Sequence, residues 1–379
     1  MRKKWMLLML IAMIFSGCQQ VDEEFGNIEN NALSELSLPG SPYNYANIDL
    51  PDHFLANEVR RIDNTPNNNR VTDAGATLGR VLFYDKLLSA NNSISCASCH
   101  VQANGFADER ALSLGFEGGE TGRNSMGLAN ARYYDNGHFF WDERAGSLEE
   151  QVLMPIQDEV EMGLTLDELV SKIQAQEYYQ PLFIEAFGDD DVTTIRIANS
   201  LAQFVRSMVS YESRFDEGLI AVGGNRNRDF PNFSQLENLG KDLFFSGRTQ
   251  CSNCHETVVF SGDRARNNGL DARNVDLGLG GVTGNPRDNG RFKVNSLRNI
   301  DLTAPYMHDG RFETLEEVIG FYNGNIQNNP NLDQRLRVNN GNVRRMNLNG
   351  QERAALVAFL KTLTDENFIS DVKYSNPFN

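Results

Sequence analysis

Cysteine is scarce in this chain of 379 residues. There are five, and four of them form two C-x-x-C pairs, Cys96 with Cys99 and Cys251 with Cys254. The fifth, Cys18, closes the opening segment, so no cysteine is left over for a disulfide. Long apolar runs are missing too. In "MRKKWMLLMLIAMIFSGC" the apolar stretch ends by Phe15, short of the roughly 20 residues that span a bilayer. Three basic residues, an apolar run and small residues before a cysteine are instead the layout of a bacterial lipoprotein signal, residues 1–17, with Cys18 as the lipidated residue. An excess of positive charge is absent as well. The 35 basic residues face 51 acidic ones, and Arg2, Lys3 and Lys4 leave with the leader, which argues against nucleic acid as a partner. No segment shows a convincing period-two alternation, so strands are not expected to build the fold.

What is present is a motif written twice, "CASCHV" from Cys96 and "CSNCHE" from Cys251. In an exported chain, C-x-x-C-H places two thiols to add across the vinyl groups of a haem, and the next residue supplies an imidazole to the iron. Zinc would need both pairs on one metal across the long intervening stretch. A thioredoxin-like pair has no use for a histidine fixed behind it. The pattern therefore reads as two covalently bound haem c groups, one on Cys96, Cys99 and His100 and one on Cys251, Cys254 and His255.

The chain repeats itself around these motifs. "LGRVLFYDKLLSANNSISCASCH" from Leu78 parallels "LGKDLFFSGRTQCSNCH" from Leu239, and "RNSMGLANARYYDNGHFFWDERAGSLEEQV" from Arg123 parallels "FKVNSLRNIDLTAPYMHDGRFETLEEVI" from Phe292. Capping boxes are expected at Ser147 with Glu150, Thr165 with Glu168 and Thr314 with Glu317. Helices are expected in "TLDELVSKI", in "TTIRIANSLAQFVRSMVS" and in "GQERAALVAFLKTL". The fold class that follows is mostly α, with two cytochrome c-like domains, each with one covalent c-type haem. The expected organisation is a signal over 1–17, a lipid tether and N-terminal extension over 18–70, a first haem domain over 71–220, a linker over 221–234 and a second haem domain over 235–379. The Gly/Asn/Asp stretch from Arg264 to Gly290 reads as a loop too polar for the core.

The two copies differ where chemistry would differ. Fourteen residues after His308 stands Tyr322, and fourteen after the equivalent Trp141 stands Pro155, which cannot ligate iron. A phenolate can, so Tyr322 either closes the second haem or is a packed aromatic whose hydroxyl bonds a neighbour. Near the open position of the first haem lie Gln151 and Glu161, with Met154, Ile156, Val160 and Met162 among the charges. That stretch reads either as an amphipathic turn with surface carboxylates or as an acid–base site, in which Glu161 moves a proton between the two oxygens of a peroxide and Gln151 orients it. Trp141, the single tryptophan left after the leader, is either a core aromatic or a stepping stone for electrons.

With "RNSMGLANA", "FFWDERAGSLEEQVLMPIQDEVEM" and "FKVNSLRNIDLTAPYMHDGRFETLEEVI" added to the haem motifs, the chain resembles the bacterial di-haem cytochrome c peroxidase and MauG superfamily from Leu78 to the last helix. The resemblance implies a peroxidatic haem on His100, an electron-relay haem on His255 and Trp141 between them. It also implies distal-pocket roles for Gln151 and Glu161, and a calcium ion held by Asn124 with the backbones of Thr303 and Pro305. Two departures lean towards MauG: Tyr322 stands where the peroxidases carry methionine, and Phe116 stands where they carry a displaceable histidine. The expected activity is reduction of hydrogen peroxide to water with electrons from a small c-type cytochrome or similar exported donor. The alternatives are a MauG-like enzyme that oxidises a protein substrate and a non-catalytic di-haem electron-transfer lipoprotein. The expected location is the cell envelope, facing the periplasm. Gln19 after Cys18 favours the outer membrane, and a homodimer is left open.

Overall fold

The computed structural model describes residues 33–379; the leader and Cys18 lie outside them. Among the described residues, regular structure is helical, supplemented by isolated β-bridges with no strand ladder. No helix there is long and apolar enough to cross a membrane.

Two helix pairs carry the architecture: Asp73–Tyr84 with Thr194–Ser207 in the first half, and Gln235–Phe244 with Gly350–Lys361 in the second. Local chemistry starts each one. Thr72 and Thr193 accept from backbone amides of the first turn, while Ser234 with Glu237 and Asn349 with Glu352 form reciprocal capping boxes. Leu78, Val81 and Leu82 share one face of the first helix and are fully buried against Ile197, Leu201 and Phe204. The crossing is the same in both halves. A Cβ on Gly79 would stand 1.9 Å from Ser200 O and 2.8 Å from Phe204 Cβ; one on Gly240 would stand 1.9 Å from Ala355 O and 2.8 Å from Phe359 Cβ. Glycine is what allows the two backbones to approach so closely, and the matching distances make this one packing unit used twice.

From the first helix of each pair the chain runs into its C-x-x-C-H turn, a short α-helix at Cys96–Cys99 and a 3-10 turn at Cys251–Asn253. A long loop then returns to the end of the second helix and is pinned there by an asparagine. Asn130 and Asn299 both adopt the left-handed conformation, with φ of 60° and 62°. Asn130 exchanges two hydrogen bonds with Ser210, and Asn299 Oδ1 accepts from Asp365 N at 2.8 Å.

The two larger hydrophobic cores do not divide at one point in the sequence. Phe215, Leu219, Phe230 and Phe233 pack with the second core, whereas Phe368 and Tyr374, close to the end of the chain, pack with the first. This tail is tied down by Tyr374, whose hydroxyl donates to Ser207 O at 2.7 Å, and by Arg80, whose Nε donates to Ser375 O at 2.7 Å.

Two expectations need correction. The boxes at Thr165 and Thr314 are reciprocal, but Glu150 bonds the amide of Gly146 rather than that of Ser147, so only half a box forms there. The polar stretch from Arg264 to Gly290 does enter the interior: Asn267 is buried, and its amide nitrogen donates to Asn274 and to Asn289 O, so polar groups satisfy one another inside.

Gly79→Ala and Gly240→Ala should each destabilise the protein by about 2 kcal/mol or more, because neither backbone carbonyl can step aside as a side chain could. Denaturant melting of the haem-loaded protein measures this; unchanged midpoints would show that the crossing is looser than described.

Candidate active site

Both C-x-x-C-H turns hold their histidine in the same way. His100 Nδ1 lies 2.9 Å from Phe106 O, and His255 Nδ1 lies 3.1 Å from Phe260 O. A carbonyl only accepts, so Nδ1 carries the proton in each ring and Nε2 keeps its lone pair for a metal. Burial lowers both imidazoles, His255 to about 4, which keeps them in the neutral ligand form. The same burial pushes the thiols up, Cys96 and Cys254 to about 12 and Cys99 and Cys251 to about 11. Neutral thiols are what thioether formation consumes.

The second turn opens onto a cavity lined by Cys251, Cys254, His255, Leu297, Leu315, Ile319, Tyr322, Leu356 and Leu360. Two buried polar atoms of residues on its wall, Arg266 Nε and Asn295 Oδ1, have no hydrogen-bond partner. Aliphatic walls, two thiols, a neutral imidazole and unpartnered polar atoms together fit a haem c, whose macrocycle is apolar and whose propionates are not. Tyr322 sits at the start of a π-helical turn, Phe321–Asn325, which follows the Leu315–Gly320 helix. Its phenol oxygen accepts from Asn268 Nδ2 at 3.3 Å, and burial raises it to about 12. The hydroxyl thus bonds a neighbour and the side chain also lines the cavity. The same Asn268 nitrogen lies 3.6 Å from Met307 Sδ, so a thioether stands beside the phenol.

At the first turn, Glu161 is half-buried. Its carboxyl is raised by burial first and by Asp158 second, with Arg144 opposing, and its charge is felt by both Cys96 and Cys99. The segment is clamped through its backbone: Glu161 O accepts from Phe116 N at 3.0 Å, and Met162 O accepts from Ala90 N at 2.8 Å. A Cβ on Gly163 would meet the Phe116 ring at 2.6 Å, so this phenylalanine is packed onto the Glu161 segment. Ile156 and Met162 are buried as the pattern suggested, while Val160 is exposed. Gln151 ends the single turn Leu148–Gln151, and Pro155 opens the next turn, Met154–Gln157.

Between the two halves lies an aromatic contact. The Trp141 and His308 rings are 6.5 Å apart, edge to face, and His308 stacks on Phe292 at 3.8 Å. Trp141 Nε1 donates to Asn124 O at 2.8 Å, Asn124 N donates to His308 O at 2.8 Å, and Lys293 N donates to Trp141 O at 2.7 Å. Arg123 closes the contact with ion pairs to Asp142 at 2.6 Å and Asp276 at 2.7 Å. Asn124, Thr303 and Pro305 line the same cavity as Trp141. With Asn124 Nδ2 held by Arg110 O at 3.1 Å, its amide oxygen is the end free to meet a cation.

The first half, residues 73–221, matches the family model for di-haem cytochrome c peroxidase. The methylamine utilization protein MauG of Methylophilus methylotrophus is 31% identical over 79% of this chain and 84% of its own length. The cytochrome c551 peroxidase of Nitrosomonas europaea is 34% identical over 77% of this chain and 80% of its own. The chain belongs to the di-haem cytochrome c peroxidase and MauG family. A solved MauG-like protein associated with microbial copper homeostasis superposes with a TM-score of 0.73 at 31% identity, covering 90% of this chain and 99% of that one. The diheme peroxidase BthA from Burkholderia thailandensis, 22% identical with a TM-score of 0.67 over 82% of this chain and 91% of its own, shares the fold. Family membership brings haem c and peroxidase chemistry with it.

Sequence reasoning missed Asn268, Asp276, Lys293 and Met307. The first two lie in the stretch taken for an outer loop. Lys293 and Met307 lie inside the internal repeat, where comparison of the halves would have drawn attention to them.

If Tyr322 is the sixth ligand of the second iron, Tyr322→Phe should change that haem's absorption and magnetic spectra and leave the first haem's alone. A methionine-type spectrum in the variant would show Met307 stepping in; an unchanged second-haem spectrum would contradict tyrosine ligation.

Proposed function

We propose that this protein is a di-haem peroxidase that reduces hydrogen peroxide to water with electrons from an exported donor such as a small c-type cytochrome. The observation that carries the reading is Glu161, a half-buried carboxyl of raised affinity for protons, clamped by its own backbone and near enough to the thiols of the first haem motif for their charges to interact. A haem held by Cys96, Cys99 and His100 supplies a site for peroxide and the redox capacity to break its O–O bond. Glu161 takes a proton from the inner peroxide oxygen and returns it to the outer one, which departs as water. The raised carboxyl makes Glu161 a stronger base for the first half of that exchange, while it returns the proton less readily in the second. Gln151 orients the peroxide from the adjoining turn. Phe116, packed on Gly163, offers no nitrogen to close the site.

Cys251, Cys254 and His255 would hold the second haem, with Tyr322 as a further ligand, and that haem would supply the second electron as a relay. Trp141 is the aromatic stepping stone across the contact with His308. Asn124 and the backbones of Thr303 and Pro305 would hold one calcium ion, which would keep the halves in register. Cys18 anchors the protein by lipid on the periplasmic face of the envelope. Tyr322 and Phe116 also support a second reading, a MauG-like enzyme that uses peroxide to withdraw electrons from a protein. Peroxide turnover in the presence of both a reduced cytochrome and a candidate protein separates the two by which is oxidised first.

Glu161→Gln should lower peroxide turnover by about 100-fold or more with both haem spectra intact, since only the proton shuttle is removed. In the parent, turnover should fall as pH drops through the raised carboxyl, at a higher pH than an ordinary carboxylate would give, because the base form is lost there. Near-normal turnover in the variant would return Glu161 to a surface role.

A further inference from the structure

A second cluster beside the first haem motif is not used by this mechanism. Asp85, which follows the Asp73–Tyr84 helix, is buried, and one of its oxygens accepts from two phenols: Tyr178 at 2.8 Å and Tyr179 at 2.7 Å, both to Oδ2. The two rings lie 4.7 Å apart. The other oxygen, Oδ1, accepts from Leu87 N at 2.8 Å. Lys172, whose charge Asp85 feels, is engaged elsewhere, with Nζ donating to Ser89 O and Asn92 Oδ1 at 2.6 Å each. Tyr179 packs in the same core as Cys96 and lies near enough to that thiol for their charges to interact. Tyr178 leads outward, edge-on to Phe378 at 6.0 Å. The order from the haem motif to the surface is thus Cys96, Tyr179, Tyr178, Phe378.

We infer that Tyr179 and Tyr178, with Asp85 as their shared proton acceptor, form an exit route by which oxidising equivalents leave the first haem site when no external donor is at hand. The inference rests on the peroxidase reading. Burial first, and Asp85 second, hold both phenols protonated far above the ordinary range, so neither can lose its proton to water. Oxidation therefore has to move proton and electron together. One electron leaves Tyr179 for the site that hydrogen peroxide has oxidised, and its phenolic proton crosses to Asp85 Oδ2, leaving a neutral tyrosyl and a neutral carboxyl. Asp85 holds one such proton at a time, so it passes the first on to the water forming from peroxide before Tyr178 follows in succession. Over both, one hydrogen peroxide and two tyrosine O–H groups give two waters and two tyrosyl radicals; the O–O bond breaks and each oxygen gains one hydrogen.

The test is electron paramagnetic resonance on haem-loaded protein frozen shortly after hydrogen peroxide is added without donor, with haem bleaching followed in parallel. The parent should show a tyrosyl signal. Tyr179→Phe, which keeps the ring and its packing, should lose that signal and bleach sooner, while keeping its donor-driven turnover. Asp85→Asn should form the radical more slowly at unchanged haem content, which separates proton acceptance from folding. A parent that turns over peroxide with donor but gives no tyrosyl signal overturns the inference alone, as does an undiminished signal in the double Tyr178→Phe, Tyr179→Phe variant. A parent that leaves peroxide untouched overturns both the inference and the peroxidase reading.

Discussion

The carbonyl of Phe106 holds the imidazole of His100, and most of the first half is arranged to keep that carbonyl still. The Phe106 ring packs edge-on against Phe83 from the helix before the haem motif, and against Phe368 and Tyr374 from the tail of the chain. Phe83 in turn packs on Phe204, from the partner helix across the Gly79 crossing. A hydrogen bond to a metal-ligating histidine sets both its orientation and its basicity. The histidine of the first C-x-x-C-H turn is therefore braced by segments far apart in the sequence. The second half repeats the device with Phe260 O and His255, where Phe260 packs on Phe215, Phe244 and Phe359.

Against that common frame, the two halves diverge in the turns that follow the Leu148 and Leu315 helices. In the first half the helix after the capping serine ends at Gln151, a new turn opens at Met154 and Pro155, and Glu161 comes near enough to the thiols for their charges to interact. In the second half the equivalent helix continues into a π-helical turn that brings Tyr322 into the cavity wall. A wider turn and an interrupted one at corresponding places put a phenol in the cavity wall of the second half and a carboxyl near the thiols of the first. The two halves thus share one packing plan and differ at a few positions around it.

Much of this was legible in the sequence because it is local. The haem motifs, the internal repeat and two reciprocal capping boxes depend on residues a few positions apart, and the helices at Thr194–Ser207 and Gly350–Lys361 announce themselves by period and cap. What escaped depends on distance in the chain. Nothing about Asp276 in a Gly-rich stretch says that it will pair with Arg123, and nothing about Asn268 says that it will hold Tyr322 and Met307 together. Composition is also a poor guide here: in a stretch that reads as solvent-facing, Asn267 is buried, and its amide is satisfied by Asn274 and by Asn289 O. The return of Phe368 and Tyr374 to the first core likewise leaves no periodic trace.

The central claim is that the first haem site is open to peroxide while the second is closed. The resting spectrum of the fully ferric, haem-loaded protein tests it most directly. The account predicts one high-spin and one low-spin haem, with peroxide consumed at once and no prior reduction needed. Two low-spin haems, with activity appearing only after one-electron reduction, would contradict it.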